Sequence, residues 1–295
     1  MQLIAGATGY IGGLLADRLL ADEREVRCLA RDPGRAGGRL EGCEVVRGDV
    51  LERPSLDSAL EGVDTAYYLV HSMGRGGDSD FEERDRRGAR NFAAAAAGAG
   101  VERIVYLGGL GEPSSPHLRS RHETAELLAA TGVPLTYFRA SIVIGSGSES
   151  LRTIAYLVRR LPAMVTPSWT STRTQPIAAA DVVEYLAAAL EVPGSSGREI
   201  EIGGREVTTY GGLLDLCARA QGRRPRPRIG VPLLSPGLSS HWIGLVTPVD
   251  AGVARPLVEG LTTETVVVDP SGMELFDVEP TPLEEAMQAA VDELF

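Results

Sequence analysis

The sequence contains no lysine, because all 29 basic residues in its 295 positions are arginine. A catalytic lysine is therefore excluded. Positive charge is scarce as well, since 40 acidic residues give a formal net charge of -11 at pH 7. Such a surface repels phosphate backbones and anionic lipid, so we expect neither nucleic acid nor membrane as a partner. A small-molecule substrate and other proteins remain as partner classes.

Cysteines and long apolar runs are also few. The three cysteines are scattered without a Cys-x-x-Cys spacing, so we expect reduced thiols and no metal site. No uncharged apolar run reaches about 18 residues, which argues against a transmembrane helix. The chain starts directly with a strand-like run instead of a secretion signal. The expected compartment is the cytoplasm.

Short apolar runs alternate with helical stretches through the first 200 residues. This alternation predicts repeated β-α-β units and an α/β fold with a doubly wound parallel sheet covered on both faces. After residue 200 the alternation weakens, and we expect residues 201–295 to form a smaller substrate-capping region. Residues 146–170 are expected to contribute to the substrate cleft. The predicted strands are 3–5, 26–30, 43–46, 65–70, 103–108 and 134–138, and the predicted helices are 10–22, 80–99, 118–131, 208–220 and 282–294.

The sequence GATGYIGG at 6–13 follows the first predicted strand and opens the first helix. Gly6 permits a tight turn, Gly9 lets the backbone approach a pyrophosphate, and Gly12 lets helix and strand pack closely. The helix start supplies backbone amides to the phosphate. This context predicts a Rossmann-type NAD(P)-binding domain over residues 1–200. The predicted cofactor contacts of the loop are Gly6, Thr8, Gly9, Tyr10, Ile11 and Gly12.

The second predicted strand ends at Ala30-Arg31-Asp32, where a Rossmann domain reads the adenosine ribose. Arg31 can pair with the extra phosphate of NADP(H), whereas an acid there accepts a hydrogen bond from the free hydroxyl of NAD(H). Arg31 therefore favours NADP(H). Asp32 keeps NAD(H) open as the alternative.

These motifs resemble those of the atypical short-chain dehydrogenases/reductases, and in particular the NmrA-like NAD(P)-binding proteins. The resemblance covers essentially residues 1–200. It implies that Asp49 and Val50 contact the adenine, and that Val70 and Ser72 flank the nicotinamide ribose. From the residues alone, Asp49 is equally well a turn-forming residue after a strand. The motifs are GATGYIGG at 6–13, RDP at 31–33, GDV at 48–50, YLVHSMG at 68–74, AGVERIVYLGGLG at 99–111, FRASIVIGSGS at 138–148 and TQPIAAADVVEYLAAAL at 174–190.

The chain departs from the family in its catalytic positions. In working relatives a tyrosine protonates the carbonyl, a lysine four residues later holds the nicotinamide ribose, and a serine follows the preceding strand. Here His117 stands at the tyrosine position, Arg121 at the lysine position, and Gly108-Gly109 at the serine position. Without lysine, the Tyr-x-x-x-Lys pair cannot exist in this protein.

Helical geometry separates the polar residues at 117–126 into two faces. Arg121 falls at the edge of an apolar arc and faces inward or towards a cleft. It could hydrogen-bond the nicotinamide ribose but cannot act as an acid at neutral pH. On the other face, we expect i,i+4 pairs between Arg119 and Glu123 and between His122 and Glu126.

Two histidines are candidate proton donors. His117 has an ordinary pKa near neutrality, so it either transfers a proton or simply starts a helix without chemistry. His71 follows a predicted strand at the edge where open α/β sheets bind ligands, and it is either catalytic or a loop residue beside the cofactor.

Three further residues are assigned to the substrate. Arg139 and Ser141 follow the next predicted strand end; Arg139 either orients the substrate or ties down its loop. Trp242 lies in the region expected to cap the cleft.

Three functions fit these observations. The first is an NAD(P)H-dependent oxidoreductase that acts on a small carbonyl substrate, aromatic or quinone-like, since delocalised substrates need less acid assistance. The second is a non-catalytic NmrA-like sensor of the dinucleotide, which would need a protein partner. The third is a structural subunit with a bound cofactor. The arginine-only basic set and alanine-rich helices are typical of GC-rich bacterial genomes, which makes secondary metabolism the expected context.

Overall fold

Short strands that are apolar on both faces form the centre of the protein. The computed structural model describes residues 1–71, 81–166, 168–230 and 261–295. The strands are β1 (Gln2–Ala5), β2 (Val26–Ala30), β3 (Glu44–Arg47), β4 (Thr65–Tyr68), β5 (Arg103–Gly109), β6 (Leu135–Ala140), β7 (Val143–Ile144), β8 (Met164–Thr166), β9 (Arg173–Thr174), β10 (Ile177–Ala178), β11 (Glu199–Ile202), β12 (Thr208–Thr209) and β13 (Arg228–Gly230). The helices are α1 (Tyr10–Ala21), α2 (Pro33–Ala36), α3 (Arg53–Ala59), α4 (Phe81–Ala99), α5 (Pro116–Ala129), α6 (Glu149–Arg160), α7 (Ala179–Ala188), α8 (Tyr210–Ala220) and α9 (Leu283–Leu294).

Seven of these strands form one parallel sheet in the order β11-β6-β5-β4-β1-β2-β3. The chain moves outwards from β1 to one edge and then restarts beside β1 with β4. This reversal puts the carboxyl ends of β1 and β4 side by side, and in open α/β sheets ligands bind at such a switch point. The predicted doubly wound parallel sheet is therefore confirmed.

Helices cover both faces of the sheet and bury its side chains. Helices α1 and α7 pack on one face through residues such as Leu15 and Val182. Helices α3, α4 and α5 pack on the other through residues such as Leu56, Phe92 and Leu128. Ala93, Ala95 and Ala96 of the alanine run in α4 are buried against the sheet, where small side chains let the helix approach closely.

A second apolar cluster joins three helices that are distant in sequence. Leu151 of α6, Leu213 of α8 and Met287 of α9 are fully buried within it. The end of the chain is also tied to the sheet domain, because the Asp181 carboxylate accepts hydrogen bonds from the Thr281 amide and hydroxyl at 2.8 and 2.7 Å. Helix α6 lies within residues 146–170, whose contribution to the substrate cleft remains a prediction. The division of the chain near residue 200 also remains a prediction.

The predicted elements agree with the structure to within two residues at each end. Helix α5 begins at Pro116, two residues before its predicted start, because the Ser115 hydroxyl accepts the Leu118 amide at 3.2 Å and caps the helix. Strand β11 was not predicted. Every second one of its four residues is glutamate, and so short a pattern at the edge of a sheet gives only a weak strand signal. In the part of the chain that is described, no helix is long and apolar enough to cross a membrane.

Candidate nicotinamide-dinucleotide site

The turn between β1 and α1 requires its glycines. Gly6 has φ +100°, and a Cβ there would lie 2.6 Å from the carbonyl oxygen of Leu69. A Cβ at Gly12 would lie 2.8 Å from the Gly6 carbonyl carbon and would overlap its oxygen. The sequence therefore lets α1 start directly against the ends of β1 and β4.

Among the described residues, no side chain caps the backbone amides at the start of α1. Its first turn carries no acidic residue, and its N-cap Gly9 makes no side-chain hydrogen bond. In contrast, Ser115, Ser148 and Thr209 cap α5, α6 and α8 with their hydroxyls. An uncapped helix start with exposed backbone is an anion-binding arrangement.

The other predicted residues of the loop surround this helix start. Thr8 and Gly9 are exposed, and Ile11 is half-buried against the core beneath α1. The ring of Tyr10 lies directly over Gly145 and Gly147, where any Cβ would overlap it. This packing places the turn after β7 beside the glycine loop.

Arg31 and Asp32 lie at the carboxyl end of β2 and are both exposed. The Asp32 carboxylate already accepts the Gly34 amide at 3.1 Å and contacts the Arg35 guanidinium at 3.4 Å. Within the described residues, Arg31 has no ion-pair partner. Of the two side chains, Arg31 therefore has fewer polar contacts within the described residues.

Asp49 and Val50 follow β3. One carboxylate oxygen of Asp49 accepts the Leu51 amide at 2.9 Å, which is the turn-forming role that the sequence left open. Val50 is buried, and its carbonyl accepts the Asn91 side-chain amide at 3.0 Å. Val70 is half-buried at the end of β4, next to the core under α4.

Arg121 is buried in the middle of α5, as helical geometry predicted, with 7% of its surface exposed. Its Nη1 atom has no hydrogen-bond partner within the described residues. Burial lowers the pKa of Arg121 to about 10, while Tyr137 and Tyr68 raise it. The guanidinium therefore stays charged at neutral pH in a site where an unpaired buried N–H is costly.

Three tyrosines line the space around this guanidinium. Tyr68, Tyr106 and Tyr137 occupy paired positions on β4, β5 and β6. The ring centroids of Tyr68 and Tyr106 are 6.1 Å apart, and those of Tyr106 and Tyr137 are 5.2 Å apart and stacked. The Tyr106 hydroxyl donates to the Arg121 carbonyl at 3.3 Å. Sequence analysis missed this layer, although strand register alone would have aligned the three positions.

The predicted pair between Arg119 and Glu123 is wrong. Arg119 donates instead to the Ser114 carbonyl at 3.1 Å, before the helix begins. Glu123 accepts from Arg86 of α4 at 2.8 Å. The partner of Glu123 therefore comes from α4, whereas the helical spacing had placed it within α5.

The predicted pair between His122 and Glu126 is also replaced. His122 Nε2 lies 3.5 Å from the Gly111 carbonyl oxygen and 3.4 Å from Arg139 Nη2. Its ring meets Tyr137 edge-on at 6.1 Å. His122 therefore belongs to the contact between α5 and the end of the sheet.

Arg139 was predicted to follow a strand end, and this prediction is wrong. The residue lies inside β6, where it pairs in register with Glu201 of β11. Its guanidinium contacts Glu199 at 2.7 Å and Glu201 at 3.4 Å, and it donates to the Gly111 carbonyl at 2.6 Å. Strand β6 extends two residues beyond its predicted end because β5 and β11 pair with Arg139 and Ala140 on both sides. These contacts are those of the alternative in which Arg139 ties down a loop.

Ser141 is buried and forms a triangle of hydroxyls with Thr174 and Thr265. The three oxygen–oxygen distances are 2.8, 2.9 and 2.9 Å. The triangle joins segments that lie far apart in the sequence. Its substrate role remains a prediction.

His71 is half-buried three residues beyond β4, and its ring centroid lies 6.1 Å from that of Tyr106. The structure thus brings His71 to the same tyrosine layer as Arg121. Ser72 and Trp242 lie outside the described residues, so their predicted contacts stay predictions.

Comparison with known proteins identifies the family of this site. A family model of NAD(P)H-binding proteins matches residues 6–147. A (4-alkanoyl-5-oxo-2,5-dihydrofuran-3-yl)methyl phosphate reductase from Streptomyces griseus is 33% identical over 230 residues, covering 76% of this chain and 74% of that protein. The chain belongs to the atypical short-chain dehydrogenases/reductases. It is thus placed among the NAD(P)-dependent oxidoreductases, as predicted.

A further relative and two solved structures are similar to this chain, and the structures support the assignment of the fold. A ceramide reductase from Caulobacter vibrioides is 26% identical over 289 residues, which is 90% of each chain. An NADPH-dependent quinone oxidoreductase from Escherichia coli, solved with NADPH, has a TM-score of 0.77 at 21% identity and covers 100% of this chain and 99% of that one. A nucleoside-diphosphate-sugar epimerase from Staphylococcus aureus has a TM-score of 0.79 at 16% identity, with coverage of 97% and 99%.

The predicted proton-transfer residue His117 lies at the start of α5. His117 is half-buried in the first turn of α5, one turn before Arg121, and burial lowers its pKa below the ordinary 6.5. The imidazole is therefore neutral at pH 7 in the folded protein.

This shift predicts a pH dependence of stability. The unfolded chain protonates His117 near pH 6.5, whereas the folded protein holds it neutral, so the free energy of unfolding falls as the pH drops from 6.5 towards the lowered pKa. Between about pH 7.5 and 5.5, we expect the free energy of unfolding of His117→Gln to fall less than that of the wild type. Urea unfolding at the two pH values measures the difference. His122→Gln controls for removal of an imidazole from the same helix. An unchanged loss in His117→Gln would refute the assignment.

Proposed function

We propose that this protein is an NADPH-dependent reductase of a small carbonyl substrate, aromatic or quinone-like, that works without a Tyr-x-x-x-Lys pair. The observation that carries the proposal is the buried, charged Arg121 with an unpartnered Nη1, at the position where the family holds the nicotinamide ribose. The Streptomyces relative is named a reductase of a small molecule, and the name of the Escherichia coli protein, an NADPH-dependent quinone oxidoreductase, supports the quinone-like class.

The residues present fit a nicotinamide dinucleotide along the carboxyl edge of the sheet. The uncapped amides of α1 would hold the pyrophosphate, and Arg31 would hold the ribose phosphate of NADP(H). Asp49 and Val50 would border the adenine. The unpartnered Nη1 of Arg121 would donate to a ribose hydroxyl, with Val70 and Ser72 beside it. When bound, the reduced cofactor supplies a hydride to the carbonyl carbon.

The proton requires a different source from that of lysine-containing relatives. Arg121 remains protonated at neutral pH and therefore orients without transferring its proton. His117, neutral at pH 7, would relay a proton between solvent and the site, and His71 would do so from the β4 side. A delocalised carbonyl substrate suits this arrangement because its reduced form needs less acid assistance.

A second candidate keeps the cofactor but has no turnover. Subunit 9 of the alpha subcomplex of rat mitochondrial NADH dehydrogenase is 25% identical over 294 residues, covering 95% of this chain. This relative favours a structural subunit, and an NmrA-like sensor with a protein partner is the related alternative. Both require the same dinucleotide site, so binding alone does not separate them from the reductase.

The deciding experiment combines binding and turnover. Calorimetric titration with NADPH, NADP⁺, NADH and NAD⁺ is followed by incubation of each reduced complex with menadione, 1,4-benzoquinone and acetophenone. Tight NADPH binding with oxidation of the cofactor supports the reductase. Tight binding without oxidation of the cofactor by any probe would favour the sensor or the structural subunit. Absence of binding would contradict the reductase, the sensor and the structural subunit alike.

Arg31 makes the cofactor preference testable. Arg31→Ala should weaken NADPH binding about 10- to 100-fold, because one charge-assisted hydrogen bond is worth about 1.5–3 kcal/mol. Binding of NADH should stay within about two-fold, since it lacks the phosphate that this contact recognises. Arg90→Ala, on the exposed side of α4, controls for loss of one surface charge. Equal loss for both cofactors would show that Arg31 does not read the phosphate.

A further inference from the structure

The position of the family serine is filled by a side chain from another strand. Gly108 has no side chain, and a Cβ there would lie 2.9 Å from the Tyr137 hydroxyl and 2.7 Å from its Cε2 atom. The Tyr137 phenol thus occupies the volume into which a residue at 108 would project. A hydroxyl from β6 is therefore present beside Gly108, where β5 has no side chain.

This hydroxyl lacks a partner. Tyr137 is 3% exposed, and its oxygen makes no hydrogen bond among the described residues. The same holds for Arg121 Nη1, and the two groups interact electrostatically, since each shifts the pKa of the other. Two further unpartnered buried atoms, on Gln2 and Gln221, lie at the amino end of β1 and after α8. Only the Tyr137–Arg121 pair combines two buried donors in the described part of the candidate site.

The surroundings hold the phenol in this orientation. Tyr106 stacks on its ring with an interplanar angle of 24°, and His122 meets it edge-on at 89°. Burial raises the pKa of Tyr137 despite the nearby Arg139 and Arg121 charges, which lower it. The phenol therefore keeps its proton at neutral pH and is available as a donor.

We infer that Tyr137 Oη and one of the two N–H groups of Arg121 Nη1 form a two-donor site for the carbonyl oxygen of the substrate, in which the phenol replaces the family serine and the other Nη1 N–H remains for the ribose hydroxyl. This inference rests on the proposed reductase function. As the carbonyl carbon accepts the hydride, the π electrons of the C=O bond move onto oxygen. The two donors hold the resulting alkoxide, which then takes the proton that His117 relays from solvent in the proposed function. Donors aimed at a developing oxyanion are the strongest electrostatic aid to such a step.

The test compares Tyr137→Phe with Tyr67→Phe, using acetophenone and menadione as probes. Tyr67 is an equally buried phenol whose hydroxyl donates to the Leu186 carbonyl at 3.1 Å on the opposite face of the sheet. Tyr137→Phe should lower kcat for acetophenone about 100-fold, the usual effect of removing one oxyanion donor. NADPH binding by calorimetry should be unchanged in both variants. Tyr67→Phe should keep the wild-type kcat.

A second readout does not depend on turnover. In protein labelled with [13Cζ]tyrosine, the Tyr137 resonance is assigned by its absence from Tyr137→Phe. It should shift when acetophenone is added to the NADP⁺ complex. A resonance that does not move, or a wild-type kcat in Tyr137→Phe, overturns the inference. Loss of NADPH binding or of all turnover in the wild type would instead count against the proposed function.

Discussion

A Gly12→Ala variant is expected to lose about 100-fold or more in affinity for NADPH. The new methyl group would overlap the Gly6 carbonyl oxygen, which belongs to rigid backbone and cannot move like a side-chain tip. Helix α1 must shift away from β1, and its amides then no longer converge on the pyrophosphate. Loss of even one charge-assisted hydrogen bond costs about 1.5–3 kcal/mol. Calorimetry with NADPH measures the change.

Gly13→Ala is the matched control for this variant. A Cβ at Gly13 would lie 3.5 Å from the Ala7 carbonyl oxygen, an ordinary contact, so this variant should bind NADPH like the wild type. Crowding in Gly12→Ala should also lower the free energy of unfolding by about 1–3 kcal/mol, which urea denaturation checks separately. Wild-type affinity in a folded Gly12→Ala protein would mean that the glycine loop does not hold the cofactor.

An Arg121→Met variant is expected to be more stable than the wild type but poorer in cofactor binding. The guanidinium is buried without a carboxylate partner in the interactions described for it, so its desolvation opposes folding at neutral pH. An apolar side chain of similar length removes this penalty, and such replacements stabilise by about 1–4 kcal/mol. Loss of the donor to the ribose should weaken NADPH binding about 10- to 100-fold.

The opposite signs of the two effects distinguish a binding residue from a structural one. Urea denaturation without cofactor measures the gain in the free energy of unfolding, and calorimetry measures the loss of NADPH affinity. Arg119→Met, on the exposed face of the same helix, should change neither by much. A strongly destabilised Arg121→Met protein would show that the guanidinium serves the fold, and unchanged NADPH affinity would remove its proposed role at the ribose.

The sequence was most informative where the signal is local. Strands β1, β2, β4, β5 and β6 could be located because a strand buried on both faces is predominantly apolar. Strand β3, whose end residues Glu44 and Arg47 are exposed, was recognised from the short apolar run at its centre. The glycine loop could be interpreted because the spacing of its glycines is a local signal, and Gly9 and Gly12 both lie against the backbone of Gly6 a few residues away. The inward position of Arg121 followed from helical periodicity alone.

Contacts between distant segments could not be predicted in this way. Arg139 was placed after a strand because nothing nearby in the sequence reveals that β11 extends β6 and supplies Glu199 and Glu201. Glu123 was paired within its helix because the sequence does not show Arg86 of α4 beside it. Such partners depend on strand order and helix packing, which single-sequence periodicity does not encode.

The sequence by itself determined the parallel α/β fold, the dinucleotide loop and the absence of a lysine-based proton relay, since these depend on residue types and spacings within one or two elements. Only the tertiary structure decided that Tyr137 lies over Gly108 and that Arg121 Nη1 has no hydrogen-bond partner among the described residues. Both features arise where strands β4, β5 and β6 and helix α5 meet, and burial at that junction gives an unpaired donor its energetic cost.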